Sequence, residues 1–234
     1  MIDFTEAFRL AFNLIIKIDN GLSEIVMLSL QISFAAVFIA SCIGLPIGAM
    51  LAIFRFPGRS IIVVILNSLM GLPPVVVGLI VYLLLSRSGP FGTLGLLFTP
   101  TAMIIAQVIL ITPIIAALTR QSISSLWLQY SDLFNSIGTG PLQTVITLLW
   151  DNKYSLITIL LAGFGRAIAE VGAVMIVGGN IDHVTRVMTT TIALETSKGD
   201  LSLALGLGII LLVIALSVNI AAHLINEITL KPKK

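Results

Sequence analysis

Charge is scarce in this sequence: Asp, Glu, Lys and Arg make up 10% of its 234 residues, against roughly 25% in soluble globular domains. An ordinary water-facing surface cannot be built from so few ionic groups. The net charge of +2 is too small to favour nucleic acid as a partner. A single cysteine, Cys42, excludes a disulfide within one chain and gives no support to a cysteine-based metal site. The two histidines, His183 and His223, stand far apart without companion ligands, so no metal centre is expected. No Gly-x-x-x-x-Gly-Lys-Ser/Thr phosphate loop occurs, so the chain is not expected to hydrolyse ATP. The N-terminus begins Met-Ile-Asp without a basic region or a small-residue cleavage site, so no signal peptide is expected.

What is abundant is apolar sequence: 57% of the residues are hydrophobic and the mean hydropathy is +1.10. Three stretches carry no charge at all, Ile25–Ile53, Ser60–Ser86 and Ser88–Thr119. About 20 apolar residues suffice for a helix to cross the hydrocarbon core, and hydrocarbon forces the backbone to satisfy its own hydrogen bonds. An all-α integral membrane protein follows. Five spans are expected, at about Glu24–Phe54, Ser60–Ser86, Thr101–Thr119, Tyr154–Val177 and Leu201–Asn226. Ahead of them, Phe4, Ala7, Phe8, Ala11, Phe12, Ile15 and Ile16 recur at helical spacing, which suggests an amphipathic helix over 1–23 lying on the membrane surface.

Five spans put the two ends on opposite sides. One side holds Arg55, Arg59, Arg120, Lys153, Lys231, Lys233 and Lys234; the other holds Arg9, Lys17, Arg87, Arg186 and Lys198, seven against five. The larger set should be cytoplasmic, which places the N-terminus outside and the C-terminus, with a basic tail over 229–234, inside. The whole chain reads as one transmembrane domain with a helical core over 24–228.

Three features interrupt the apolar pattern. The loop 120–153 is far longer than a turn requires. Ser131 or Asp132 can cap a short helix through Ile137, Gly138 can end it in the left-handed conformation, and an amphipathic segment follows from Pro141 to Trp150. This cytoplasmic elbow either docks a partner or lies on lipid headgroups. Pro73 and Pro74 break the second span, making the segment around Val75 a candidate gate or a simple packing kink. Arg166 and Glu170 share one helical face and can neutralise each other, since a lone charge at mid-bilayer costs about 2.5–3.5 kcal/mol. The pair fixes helix rotation, lends positive potential to a passing dianion, or contacts a second copy. Gly178, Gly179 and Asn180 then end the fourth span, and Thr189, Thr190, Thr191 and Ser197 offer hydroxyl donors in the outer loop that follows.

Four stretches together resemble the permease subunits of ATP-binding-cassette (ABC) importers of the molybdate/sulfate/tungstate type. "NSLMGLPPVVVGLIVYLLLSRSGPFG" (67–92) is similar to the Leu-Pro-Pro-Val-Val-x-Gly signature of molybdate permeases. Asp132, Leu133, Phe134 and Gly138 stand where the Glu-Ala-Ala…Gly cytoplasmic motif should be, with larger side chains at the two alanines, and Leu149, Trp150 and Asp151 near its usual closing Leu-Pro. "GRAIAEVGAVMIVGGNI" (165–181) looks like the family's Arg-Ala-Leu-Gly-Glu-Phe-Gly-Ala…Gly-Asn-Ile. "TRVMTTTIALETSKGDLSLAL" (185–205) resembles the tungstate-specific branch.

The resemblance implies a type I importer permease fold: about five transmembrane helices, an N-terminal amphipathic helix and a cytoplasmic coupling helix. It implies a prokaryotic cytoplasmic (inner) membrane location and a homodimer forming one pathway for a tetrahedral oxyanion, tungstate foremost, with molybdate or sulfate as alternatives. The expected partners are a second copy, an ABC ATPase homodimer, an extracytoplasmic oxyanion-binding protein and membrane lipid. No cofactor is expected in this chain; ATP and Mg belong to the ATPase. Asp132, Leu133, Phe134, Ser136, Ile137 and Gly138 would couple to that ATPase. Pro73, Pro74, Val75, Arg166, Glu170, Gly178, Gly179 and Asn180 would line or gate the pathway. A stand-alone channel or secondary transporter would need rings of acids, a proton relay or an inverted repeat. An intramembrane enzyme would need a nucleophile–base pair. None is evident.

Overall fold

The computed structural model describes Arg9 and residues 20–230. The amphipathic stripe expected over 1–23 and the tail beyond Leu230 lie mostly outside the described residues. Among these there are helices and turns and no strands: α1 (Asn20–Ile53), α2 (Arg59–Leu69), α3 (Pro74–Leu85), a 3₁₀ turn (Gly92–Leu94), α4 (Pro100–Ile137), α5 (Pro141–Asp151), α6 (Lys153–Ile168), α7 (Gly172–Gly178), α8 (Met188–Lys198) and α9 (Leu201–Leu230).

Three helices are long and apolar enough to cross a membrane, Gly21–Ile53, Pro100–Ile137 and Leu201–Ile225, and two bent pairs raise the number to five. The five expected spans therefore have counterparts, but two are not single rods. The second bends by 100° between α2 and α3, at Pro73–Pro74. The fourth breaks after Ile168 and resumes at Gly172, and α5 turns by 75° into α6.

The elbow also differs from expectation. No short helix starts at Ser131 or Asp132; α4 continues without a break through Ile137. No Gly or Pro stands between Pro113 and Gly138, so the helix has no reason to stop. The stop itself falls where expected, with Gly138 left-handed at φ 69°, a conformation glycine adopts without a Cβ penalty. Pro141 then opens α5 at its first turn, where its missing N–H is harmless.

The described residues form two compact units. One comprises Met1–Ala36, Pro73–Gln107 and Gly165–Val218; the other comprises Val37–Leu72, Val108–Phe164 and Asn219–Lys234. In the second unit, α1 and α4 cross at Gly48, where an added Cβ would lie 2.4 Å from the Ala116 carbonyl oxygen. Small residues permit such approaches in membranes, where dispersion replaces hydrophobic driving force. Also in this unit, Ile53, Ile123, Val145 and Leu148 are buried together, with Trp127, Phe134 and Leu149 packed on them. Elsewhere large apolar side chains face outward, Phe34 and Phe38 at 60% and 70% exposure among them. That inverts the soluble pattern and suits contact with acyl chains.

Candidate functional site

The first unit holds the expected pathway residues. At its centre α3 lies against α7. Pro73 is extended at ψ 120° and Pro74 occupies the first helical turn, so the chain leaves α2 and restarts at a new angle. The Pro73 carbonyl accepts the N–H of Val76 and of Val77. Further along α3, Gly78 meets α7: a Cβ there would stand 2.7 Å from Ala173 Cα. From the other side, a Cβ on Gly172 would stand 2.8 Å from Val75 Cγ2. The two helices therefore touch nearly backbone to backbone, and Val75 closes on Gly172.

The break between α6 and α7 is bridged by side chains. An interrupted helix frees backbone groups that lipid cannot satisfy. Here Gln107 Nε2 donates to the Ala167 carbonyl at 3.1 Å. Thr189 Oγ1 donates to the Glu170 carbonyl at 2.7 Å. The Ala173 N–H donates to Glu170 Oε1 at 3.1 Å, while Arg166 Nη1 donates to Glu170 Oε2. Glu170 is 4% exposed and has two roles, counter-ion to Arg166 and cap of α7. The Arg166 side chain is 36% exposed, so the guanidinium is only partly enclosed.

Gly178, Gly179 and Asn180 end α7 as expected, the last two in the left-handed region at φ 71° and 50°. Their turn is held by side chains. Thr185 Oγ1 donates to the Gly178 carbonyl at 2.6 Å, and Thr190 Oγ1 donates to Asn180 Oδ1 at 2.8 Å. This corrects the reading of the threonines as free outer-loop donors. Thr189, Thr190 and Thr191 are buried at 7%, 0% and 1% exposure, and each hydroxyl proton has an internal acceptor. They fall in the buried first turn of α8, a helix the sequence pattern did not separate from its loop.

Outside this centre, His183 Nδ1 and Glu24 Oε2 are 2.8 Å apart and Arg186 pairs with Asp182 at 2.7 Å. The hydrogen bond that His183 donates to Glu24, then the negative charges of Glu24 and Asp182, raise the His183 pKa above its ordinary value. His183 itself has φ 56°. Nothing in the local pattern foretells this pair, because its members are 159 positions apart.

The expected coupling residues belong to the second unit. Leu133 and Ile137 are 53% and 66% exposed, and Asp132, Ser136 and Gly138 are exposed beside them. Phe134 differs: its ring stacks on Trp127 with centroids 6.2 Å apart, inside the elbow's own packing. Next to it lies a groove of about 550 Å³ lined in part by Arg55, Trp127, Ser131, Asn135 and Thr144. Among the described residues no group of three or more His, Cys, Asp or Glu side chains is placed to hold a metal ion.

Comparison with known proteins is specific. The sequence profile described as "Binding-protein-dependent transport system inner membrane component" matches residues 44–229. The chain is 40% identical over 222 residues to the tungstate uptake system permease protein TupB of Peptoclostridium acidaminophilum, covering 95% of this chain and 97% of that one. It is 41% identical over 203 residues to a probable anion ABC transporter permease protein of Haloferax volcanii, covering 85% and 88%. The TupB of Campylobacter jejuni is 37% identical over 218 residues, covering 93% and 91%.

Proposed function

Since this chain belongs to the binding-protein-dependent transport system inner membrane components, we propose that it is the permease of an ATP-driven importer whose cargo is tungstate. The observation that carries the cargo is the 40% identity that runs along nearly the whole of both this chain and a tungstate uptake permease. Two copies form the pathway, a separate ATPase homodimer supplies the energy, and an extracytoplasmic binding protein delivers the anion. The N-terminus is outside and the C-terminus in the cytoplasm.

The geometry supports a division of labour. The α3–α7 contact, with a proline break at the start of α3 and a glycine on each helix, is a closure that opens if the two short helices separate. The Arg166–Glu170 pair holds the break in α6–α7 at a fixed angle. The partly exposed guanidinium adds positive potential for a dianion. Leu133 and Ile137 present apolar anchors to the ATPase, with Asp132 and Ser136 as their polar rim, Gly138 as the stop and Phe134 as the internal brace that keeps them rigid.

The test is reconstitution with the ATPase and the binding protein in vesicles, with ATP inside the ATPase-facing compartment. Tungstate uptake should exceed molybdate uptake, and calorimetry should show the binding protein taking tungstate more tightly. Equal preference for molybdate or sulfate would move the assignment to a broader oxyanion permease, a reading the similarity to the Haloferax anion permease supports. Uptake without ATP hydrolysis would reject the importer outright.

A further inference from the structure

The short helix α5 has two apolar faces, and only one is used by the protein. Thr144, Val145 and Leu148 are buried, Val145 and Leu148 in the elbow's core. On another face Leu142, Ile146 and Trp150 recur every fourth residue and are 73%, 59% and 70% exposed. Three large side chains in register make a continuous apolar ridge along the helix, which isolated surface residues would not.

We propose that this ridge is seated in the lipid interface, at the boundary of headgroups and acyl chains. Three observations point there. First, α5 turns by 75° from α6, the helix that continues into the fourth span, so α5 runs close to the membrane plane when α6 crosses the bilayer. Second, the join is rigid: the buried Asn152 donates through Nδ2 to Ser122 Oγ at 2.8 Å, so the angle is built in. Third, the ridge ends in an aromatic–cation cluster. Lys153 Nζ lies 4.9 Å from the Trp150 ring centroid and 5.4 Å from that of Tyr154. Trp, Tyr and Lys together are the anchor chemistry of the membrane–water boundary, with an apolar body below and a cation at phosphate depth. Among the residues of α5 itself, Asp151 alone is charged, so nothing along the ridge opposes burial in lipid. The inference needs only the membrane setting; it stands or falls separately from the cargo and from ATPase docking at Leu133 and Ile137.

Trp127 and Trp150 are the two tryptophans of the chain, so Trp127→Phe leaves Trp150 as a single reporter. The full-length variant would be reconstituted in phosphatidylethanolamine/phosphatidylglycerol vesicles carrying lipids spin-labelled at carbon 5 or carbon 12. A helix bedded at interfacial depth predicts quenching by the shallow label about threefold stronger than by the deep one, and weak quenching by aqueous acrylamide. Strong acrylamide quenching with none from either lipid overturns the proposal. So does a Trp150 untouched by lipid and shielded from acrylamide only after the ATPase is added, an outcome that gives the ridge to the partner subunit. If Trp127→Phe fails to fold, Ile146→Cys in a Cys42→Ala background, carrying a nitrobenzoxadiazole dye, reads the same depth through emission shift.

Discussion

Removing the Arg166 guanidinium isolates a carboxylate that is 4% exposed and still accepts the Ala173 N–H. Breaking a buried ion pair by deleting one partner costs about 3–5 kcal/mol. With roughly 2–4 °C per kcal/mol for a chain of this size, Arg166→Ala should lower the melting temperature of the purified permease by roughly 6–20 °C. Glu170→Gln should be milder, because a carboxamide oxygen still accepts the Ala173 N–H and the remaining guanidinium is 36% exposed. Glu170→Ala loses that acceptor too, adding about 0.5–2 kcal/mol for a lost helix cap. The double variant Arg166→Ala/Glu170→Gln removes both charges and should recover much of the loss, with a coupling of about 1–3 kcal/mol. The assay is thermal unfolding in detergent, followed by intrinsic fluorescence and size exclusion, with all four variants side by side. Strictly additive losses, or Glu170→Gln as damaging as Arg166→Ala, would refute the reasoning.

Other expectations follow from local geometry. Gly78→Leu drives a side chain into the Ala173 backbone, 2.7 Å from the Cβ position; it should separate α3 from α7, cost about 1–3 kcal/mol and abolish regulated uptake while leaving membrane insertion intact. Gly138→Val places a β-branched residue at φ 69°, a strain of about 1–2 kcal/mol, and should weaken ATPase co-purification; undiminished recovery counts against the elbow as docking surface. Leu133→Asp with Ile137→Asp should reduce the same co-purification with little change in melting temperature, since both side chains are exposed. The His183–Glu24 contact should depend on pH. The folded pKa is raised, so its stabilisation is fully present below the ordinary histidine value and is lost as pH rises through the raised one. Hydrogen exchange in 178–187 should accelerate across that window, and His183→Ala should remove the pH dependence.

Much of the fold could be read from composition. The charge-free runs fixed the spans, and Gly138, Gly179 and Pro73–Pro74 marked their stops and bends through local backbone preference. The errors arose where tertiary packing overrides local signals. Ser131 and Asp132 are good caps, yet α4 runs past them, because its backbone donors already have partners one turn back. The second break in the fourth span was invisible, since Ala169 and Val171 carry no breaker chemistry; the groups that permit it, Gln107 and Thr189, come from distant sequence. Arg166 and Glu170 were legible as a pair from their spacing, whereas the capping role of Glu170 was not. The threonines illustrate the same limit: hydroxyls near a loop read as ligands until a helix turns them inward.

The length of α4 has a mechanical consequence. Its 38 residues exceed the roughly 20 that a bilayer requires, so about 18 residues, some 27 Å at ~1.5 Å each, overhang the hydrocarbon as one stiff lever. Tilting that overhang by about 10° about its base would sweep the far tip through nearly 5 Å on that scale. A modest rocking at the base of the overhang and a large displacement at Gly138 are then the same motion, seen from the two ends of one arm.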